Sequence, residues 1–179
     1  MTHTENAVHP TLYPAVNAAL ELLLGGVREA LGETFTGLYL HGSLACGDFE
    51  PARSDVDFLV ATKDELPQEK LTELAAMHAR IRDSEMKWAA KLEGSYIPLR
   101  ALRRYQPPAI HPALRTDGSF ALDGHGSDWI IQRWVLRERG VALAGPPLRD
   151  LIDPVSPDDL RRATLATLRE WWSPFFPSP

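Results

Sequence analysis

Cysteine is nearly absent from this sequence: its 179 residues include one, Cys46. An internal disulfide is therefore impossible, and a reducing compartment suits the chain. Positive charge is also in short supply, with 19 Lys and Arg against 24 Asp and Glu and a formal net charge of −5. Without a basic block to neutralise a phosphate backbone, nucleic acid is not an expected partner. A nucleotide needs only a few donors and a metal, so that class stays open. No apolar run reaches the roughly 18 residues of a membrane helix. No basic start and no apolar segment precede residue 15, so no secretory leader is expected. Repeats and low-complexity tracts are missing as well. These absences leave a cytoplasmic globular protein, and 44% hydrophobic with 24% charged residues suits one domain with a sizeable core.

What is present centres on residues 38–60. An apolar run ends in His41-Gly42-Ser43, and eleven residues separate Ser43 from Asp55-Val56-Asp57, which follows Ser54 and enters a second apolar run. The reading is strand, phosphate-cradling turn, irregular stretch, then a strand with two carboxylates. Residues i and i+2 of a strand face the same way, so Asp55 and Asp57 project together while Val56 and Phe58 enter the core. Neighbouring carboxylates repel unless a cation sits between them, and oxygen-only ligation suits Mg²⁺. Gly42-Ser43 at a strand end offers backbone N–H groups to a phosphate.

The remaining elements follow from periodicity and punctuation. An amphipathic helix is predicted over Thr11–Leu31, weakened at Gly25-Gly26, and a strand over Phe35–Leu40. A short helix and loop are expected within Ala45–Ser54, a strand over Val56–Ala61, a helix over Pro67–Ile81 and a strand over Lys91–Leu99. Residues 100–126 hold six Pro and Gly breakers and read as a long loop with one short strand near Phe120–Leu122. Ser127 is expected to cap a helix to Arg139 that Gly140 stops, followed by a strand over Val141–Ala144. Asp153-Pro154 is a candidate boundary before a helix from Ser156 to Trp171.

A third carboxylate is wanted as a base, and Glu93 in the strand after the second helix is the choice over Glu85. Cys46 reads as a small buried residue. His41, His78 and His125 lack metal-ligand spacing and read as structural. The Trp129–Trp134 helix reads as core ahead of a substrate platform, and Asp128 as part of a solvated face ahead of the cleft.

The pattern resembles the nucleotidyltransferase superfamily of the polymerase β type. Residues 38–43, 53–60 and Leu92-Glu93 resemble the aminoglycoside (3″)(9) adenylyltransferases, the streptomycin and spectinomycin resistance enzymes. So do Gly140–Pro147, Leu151–Val155 and the helix ending in Trp171-Trp172. The resemblance implies an α+β nucleotidyltransferase fold: a mixed, mostly β-sheet core flanked by helices over residues 1–155. Residues 156–179 would then begin a truncated C-terminal helical domain. The implied reaction is Mg²⁺-dependent transfer of AMP from ATP to a hydroxyl of a small molecule, an aminoglycoside-like antibiotic. Asp55 and Asp57 match the metal ligands, for two Mg²⁺, and Glu93 matches the base. Gly42, Ser43 and Ser54 match positions near the triphosphate. The rival classes are a partner-dependent, antitoxin-like module and a protein-modifying adenylyltransferase. Trp171, Trp172, Phe175 and Phe176 at the terminus need a surface to bury against, and a homo-oligomer would supply one.

Overall fold

The computed structural model describes residues 10–104 and 109–172. Helix α1 (Pro14–Leu31) starts with proline, whose fixed φ suits a first turn. It buries Val16, Leu20, Leu23 and Val27 against the sheet. Gly26 in α1 is a packing choice, since a Cβ there would fall 2.8 Å from Met77 of the helix beside it. Strand β1 (Phe35–Leu40) runs into a short helix, α2 (Gly42–Cys46), and β2 (Val56–Thr62) follows an irregular connection. Helix α3 (Gln68–Arg82) crosses over to β3 (Leu92–Pro98), which pairs parallel to β2. Next come α4 (Leu99–Arg103), β4 (Ala109–Leu114) and β5 (Phe120–His125), then α5 (Asp128–Arg139), β6 (Val141–Ala144), α6 (Leu148–Leu151) and α7 (Pro157–Trp172).

The six strands form one sheet in the order β5-β4-β3-β2-β1-β6. Only β2–β3 is parallel, so the sheet is mixed and mostly antiparallel. Alternation along β2 serves both faces. Val56, Phe58 and Val60 join α1 and α3 in one core cluster, while Leu59 and Ala61 join Leu102, Trp129, Leu136 and Ile152 in another. Asp57 lies on this second face, one step before the buried Leu59. A carboxylate there sits where the helical cover ends.

Several expectations need correction. The segment over residues 100–126 is not a long loop: α4 and the β4–β5 hairpin occupy its described part. Pro112 lies beyond the end of β4's pairing with β3, which stops at Ser95↔Ala113, so β3 asks for no N–H from it, while on its other side it stands opposite Leu122 of β5. Pro107 and Pro108 lie outside the described residues. The short helix begins at Gly42, not Ala45. Ser127 is itself helical in backbone and makes no cap hydrogen bond; its hydroxyl donates to Glu170 Oε1 at 2.9 Å, tying α5 to α7. Ser156, by contrast, does cap α7, accepting the Asp159 N–H at 3.1 Å. Cys46 is exposed rather than buried. No helix among the described residues is long and apolar enough to cross a membrane. On α7, Leu165, Leu168, Trp171 and Trp172 are exposed, and Phe175 and Phe176 lie outside the described residues.

Candidate active site

The site forms where β1 ends and β2 and β3 begin. Asp57 and Glu93 are direct register partners on the parallel pair β2–β3. Register partners on neighbouring strands share a face, so the two carboxylates stand side by side. Asp55 lies just ahead of β2, and its charge acts on Asp57. The Asp57 carboxyl is pushed up to about 6, first by burial, then by the charges of Asp55 and Glu93. Glu85 is exposed in the turn after α3 and has no place at this centre.

Chain reversal between β1 and α2 sets how close the backbone comes to Asp57. The His41 N–H donates to the Asp57 carbonyl at 3.2 Å. Gly42 then adopts φ +60°, and a Cβ built on it would fall 1.9 Å from Asp57 Oδ2. Glycine is required twice, for the left-handed backbone and for the carboxylate pressed against it. Ser43 follows in the first turn of α2, half-buried. Ser54 is placed differently. Its Oγ accepts the Glu50 N–H at 3.0 Å, and its carbonyl accepts from Lys91 Nζ at 3.0 Å. It therefore fastens the segment that delivers Asp55.

Asp57 and Glu93 open into a cavity of about 210 Å³ walled by β3–β5 and α5, with His41, Asp128, Trp129 and Gln132 among its lining. Burial drives His41 and His125 down to about 4, so both imidazoles are neutral near pH 7. His125 lies 3.2 Å from Ser95 Oγ through Nε2 and packs against Trp129 at 4.2 Å between ring centroids. Across the cavity Arg115 pairs with Asp123 at 3.3 Å and holds that carboxyl below its usual range. Sequence reasoning left four lining residues without a site role. Asp128 lines the cavity instead of a solvated face, His41 and His125 line it as well, and Trp129 is both core and wall. Their signal lay in the hairpin and helix start that Gly124 and Gly126 concealed.

Donor chemistry fits a divalent cation. The groups are carboxylates, and burial together with the charges of Asp55 and Glu93 raises the Asp57 carboxyl's hold on its proton, a cost that a cation relieves. Among the described residues no three His, Cys, Asp or Glu side chains gather into a complete cage. Mg²⁺ is commonly held by one or two carboxylates, with water and substrate phosphate completing its shell.

The comparisons with known proteins bear on fold and family. The architecture superposes on the crystal structure of a spectinomycin adenyltransferase from Enterococcus faecialis, determined with ATP and spectinomycin. The TM-score is 0.70 at 18% identity, over 89% of this chain and 68% of that one. Residues 22–96 match the sequence model of the nucleotidyltransferase domain, a span that holds β1, β2, Asp55, Asp57 and Glu93. Residues 22–96 are thus similar to nucleotidyltransferase domains. Aminoglycoside (3″)(9) adenylyltransferases from Klebsiella pneumoniae and Escherichia coli are 31% identical over 169 residues, covering 89% of this chain. The chain spans 64% of the length of these curated relatives. The three carboxylates sit within the matched segment, and the hairpin and α5 beyond it complete the cavity.

Proposed function

We propose that the protein transfers AMP from ATP to a hydroxyl of a small cationic molecule, an aminoglycoside or aminocyclitol antibiotic. The observation that carries this reading is the side-by-side pairing of Asp57 and Glu93 at one cavity, with Gly42 pressed against Asp57. Similarity to the adenylyltransferases supports the acceptor class. The cavity also carries more carboxylates than cations, since its one arginine is paired with Asp123.

Each residue has a role in this reaction. Asp55 and Asp57 would hold Mg²⁺, which supplies neutralising charge for the triphosphate. Gly42 and Ser43 open α2 beside Asp57 and are assigned to the phosphates, with Ser54 fixing the approach of Asp55. Glu93 takes the proton from the acceptor hydroxyl. The acceptor oxygen forms a bond to the α-phosphorus, the bond from that phosphorus to the bridging oxygen breaks, and pyrophosphate leaves. Neutral His41 and His125 bring no positive charge to repel a cationic acceptor. Residues 156–179 are assigned to the start of a second, helical unit, a reading that the α7 helix over Pro157–Trp172 supports.

The test is to incubate the protein with MgATP and streptomycin or spectinomycin and measure pyrophosphate. Release that depends on the acceptor and is lost in Asp57→Ala supports the reading; release that survives Asp57→Ala overturns the two-carboxylate mechanism. The exposed apolar residues of α7 favour one addition, that the protein works as a homo-oligomer joined through this helix. Light scattering that reports a monomer at all concentrations would remove it.

A further inference from the structure

The β4–β5 turn lies beside Glu93, and it is unusually well fastened for a surface turn. Arg115 N–H donates to the Ser119 carbonyl at 2.9 Å, and Gly118 N–H donates to the Arg115 carbonyl at 2.7 Å. Ser119 N–H donates to Asp117 Oδ1 at 2.8 Å. Arg82, at the end of α3, donates to the Asp117 carbonyl at 3.1 Å and fills the space beside Gly118, which has φ +80°. The Arg115–Asp123 pair braces the base of the turn from the other side. The tip therefore has little freedom to rotate. From it Thr116 Oγ1 donates to Glu93 Oε2 at 2.5 Å, a contact short enough for a hydroxyl on a carboxylate.

We propose that Thr116 is a positioning residue for Glu93: its hydroxyl, presented by the fastened turn, fixes which carboxylate oxygen faces the acceptor. The inference rests on the reading of Glu93 as the base. Antiparallel pairing of Gly94 with Leu114 and Ser95 with Ala113 brings the chain beyond Leu114 alongside Glu93. Oε2 is engaged by Thr116, which leaves Oε1 to receive the proton. A bare turn fastening would need no such aim, because the backbone and Asp117 already close the turn.

The experiment compares the full chain with Thr116→Val, which keeps shape and loses the donor, and Thr116→Ser, which keeps the donor. Turnover and crystal structures are both read. Thr116→Val is expected to lower kcat about tenfold to a hundredfold, with KM for ATP within about twofold, and to leave the Glu93 carboxylate rotated. Thr116→Ser is expected to restore both. If Thr116→Val keeps kcat within about twofold, or leaves Glu93 unmoved, the inference is overturned. Glu93→Gln separates the two failures. An inactive Glu93→Gln beside a fully active Thr116→Val removes Thr116 alone, whereas an active Glu93→Gln removes the base and the inference with it. If wild type itself does not turn over, the proposed function falls, and the crystal structures still decide whether Thr116 orients Glu93.

Discussion

Replacing Gly42 with alanine separates catalysis from stability. The new Cβ would lie 1.9 Å from Asp57 Oδ2, where ordinary contact begins at 3.4 Å, so about 1.5 Å of movement is forced on the carboxylate or the turn. The φ of +60° adds roughly 1–2 kcal/mol for a residue with a Cβ. For a chain of this size, that strain lowers Tm by only about 2–8 °C. The effect on function is expected to be far larger. A catalytic group misplaced by about 1 Å can cost on the order of a hundredfold in rate. Gly42→Ala is therefore expected to fold, to lose a few degrees in a thermal melt, and to lose at least about a hundredfold in kcat/KM for AMP transfer. A variant whose kcat/KM stays within about threefold of wild type would refute the idea that the turn sets the place of Asp57. A chain that fails to fold would show that the contact is structural instead.

Other outcomes are open to measurement. Burial holds His78 down to about 4, with its Nε2 2.7 Å from the Tyr96 hydroxyl. The unfolded chain takes up that proton near 6.5 and the folded chain only near 4, so stability is full above pH 6.5. By pH 4 about 3 kcal/mol of it is lost, and a urea titration across this range should be flatter in His78→Gln. Arg133 donates from Nε to the Leu102 carbonyl at 2.9 Å and also to the Arg103 carbonyl; Arg133→Met strands the buried Leu102 carbonyl, while the Arg103 carbonyl keeps the Asp153 N–H. A loss of about 1–3 kcal/mol is expected in chemical denaturation. Chelation by EDTA should abolish AMP transfer. Added Mg²⁺ should raise the Tm of wild type but not of the Asp55→Ala, Asp57→Ala double variant.

Legibility in the sequence followed local signal. Strands β1, β2, β3 and β6 announce themselves as apolar runs between Gly, Pro and charged turns, and α1, α3 and α7 as stripes with proline or serine at their starts. Asp57 and Glu93 were placed because strand alternation and a crossover helix leave them little choice. The β4–β5 hairpin was concealed by its own breakers. Pro112 looks fatal to a strand until β4 is seen to leave β3 at Ala113, a fact of tertiary pairing. Gly118 reads as a breaker in a long loop but supplies the positive φ of a fastened turn. Asp128 was assigned to solvent because a helix face has no direction until its partner is known, and the partner is the cavity made by that hairpin. Gly42 read as the end of a strand, whereas its positive φ begins the next helix.

The most direct test follows the phosphorus. The protein is mixed with Mg²⁺, ATP labelled at the α-phosphate, and spectinomycin or streptomycin, and the products are separated. The expected result is label on the antibiotic with an equal amount of pyrophosphate, and neither product with Asp57→Ala or Glu93→Gln. Label that never leaves ATP in the wild-type reaction, or that reaches the antibiotic without either carboxylate, would contradict the assignment of Asp57 and Glu93 as the heart of a nucleotidyl-transfer site.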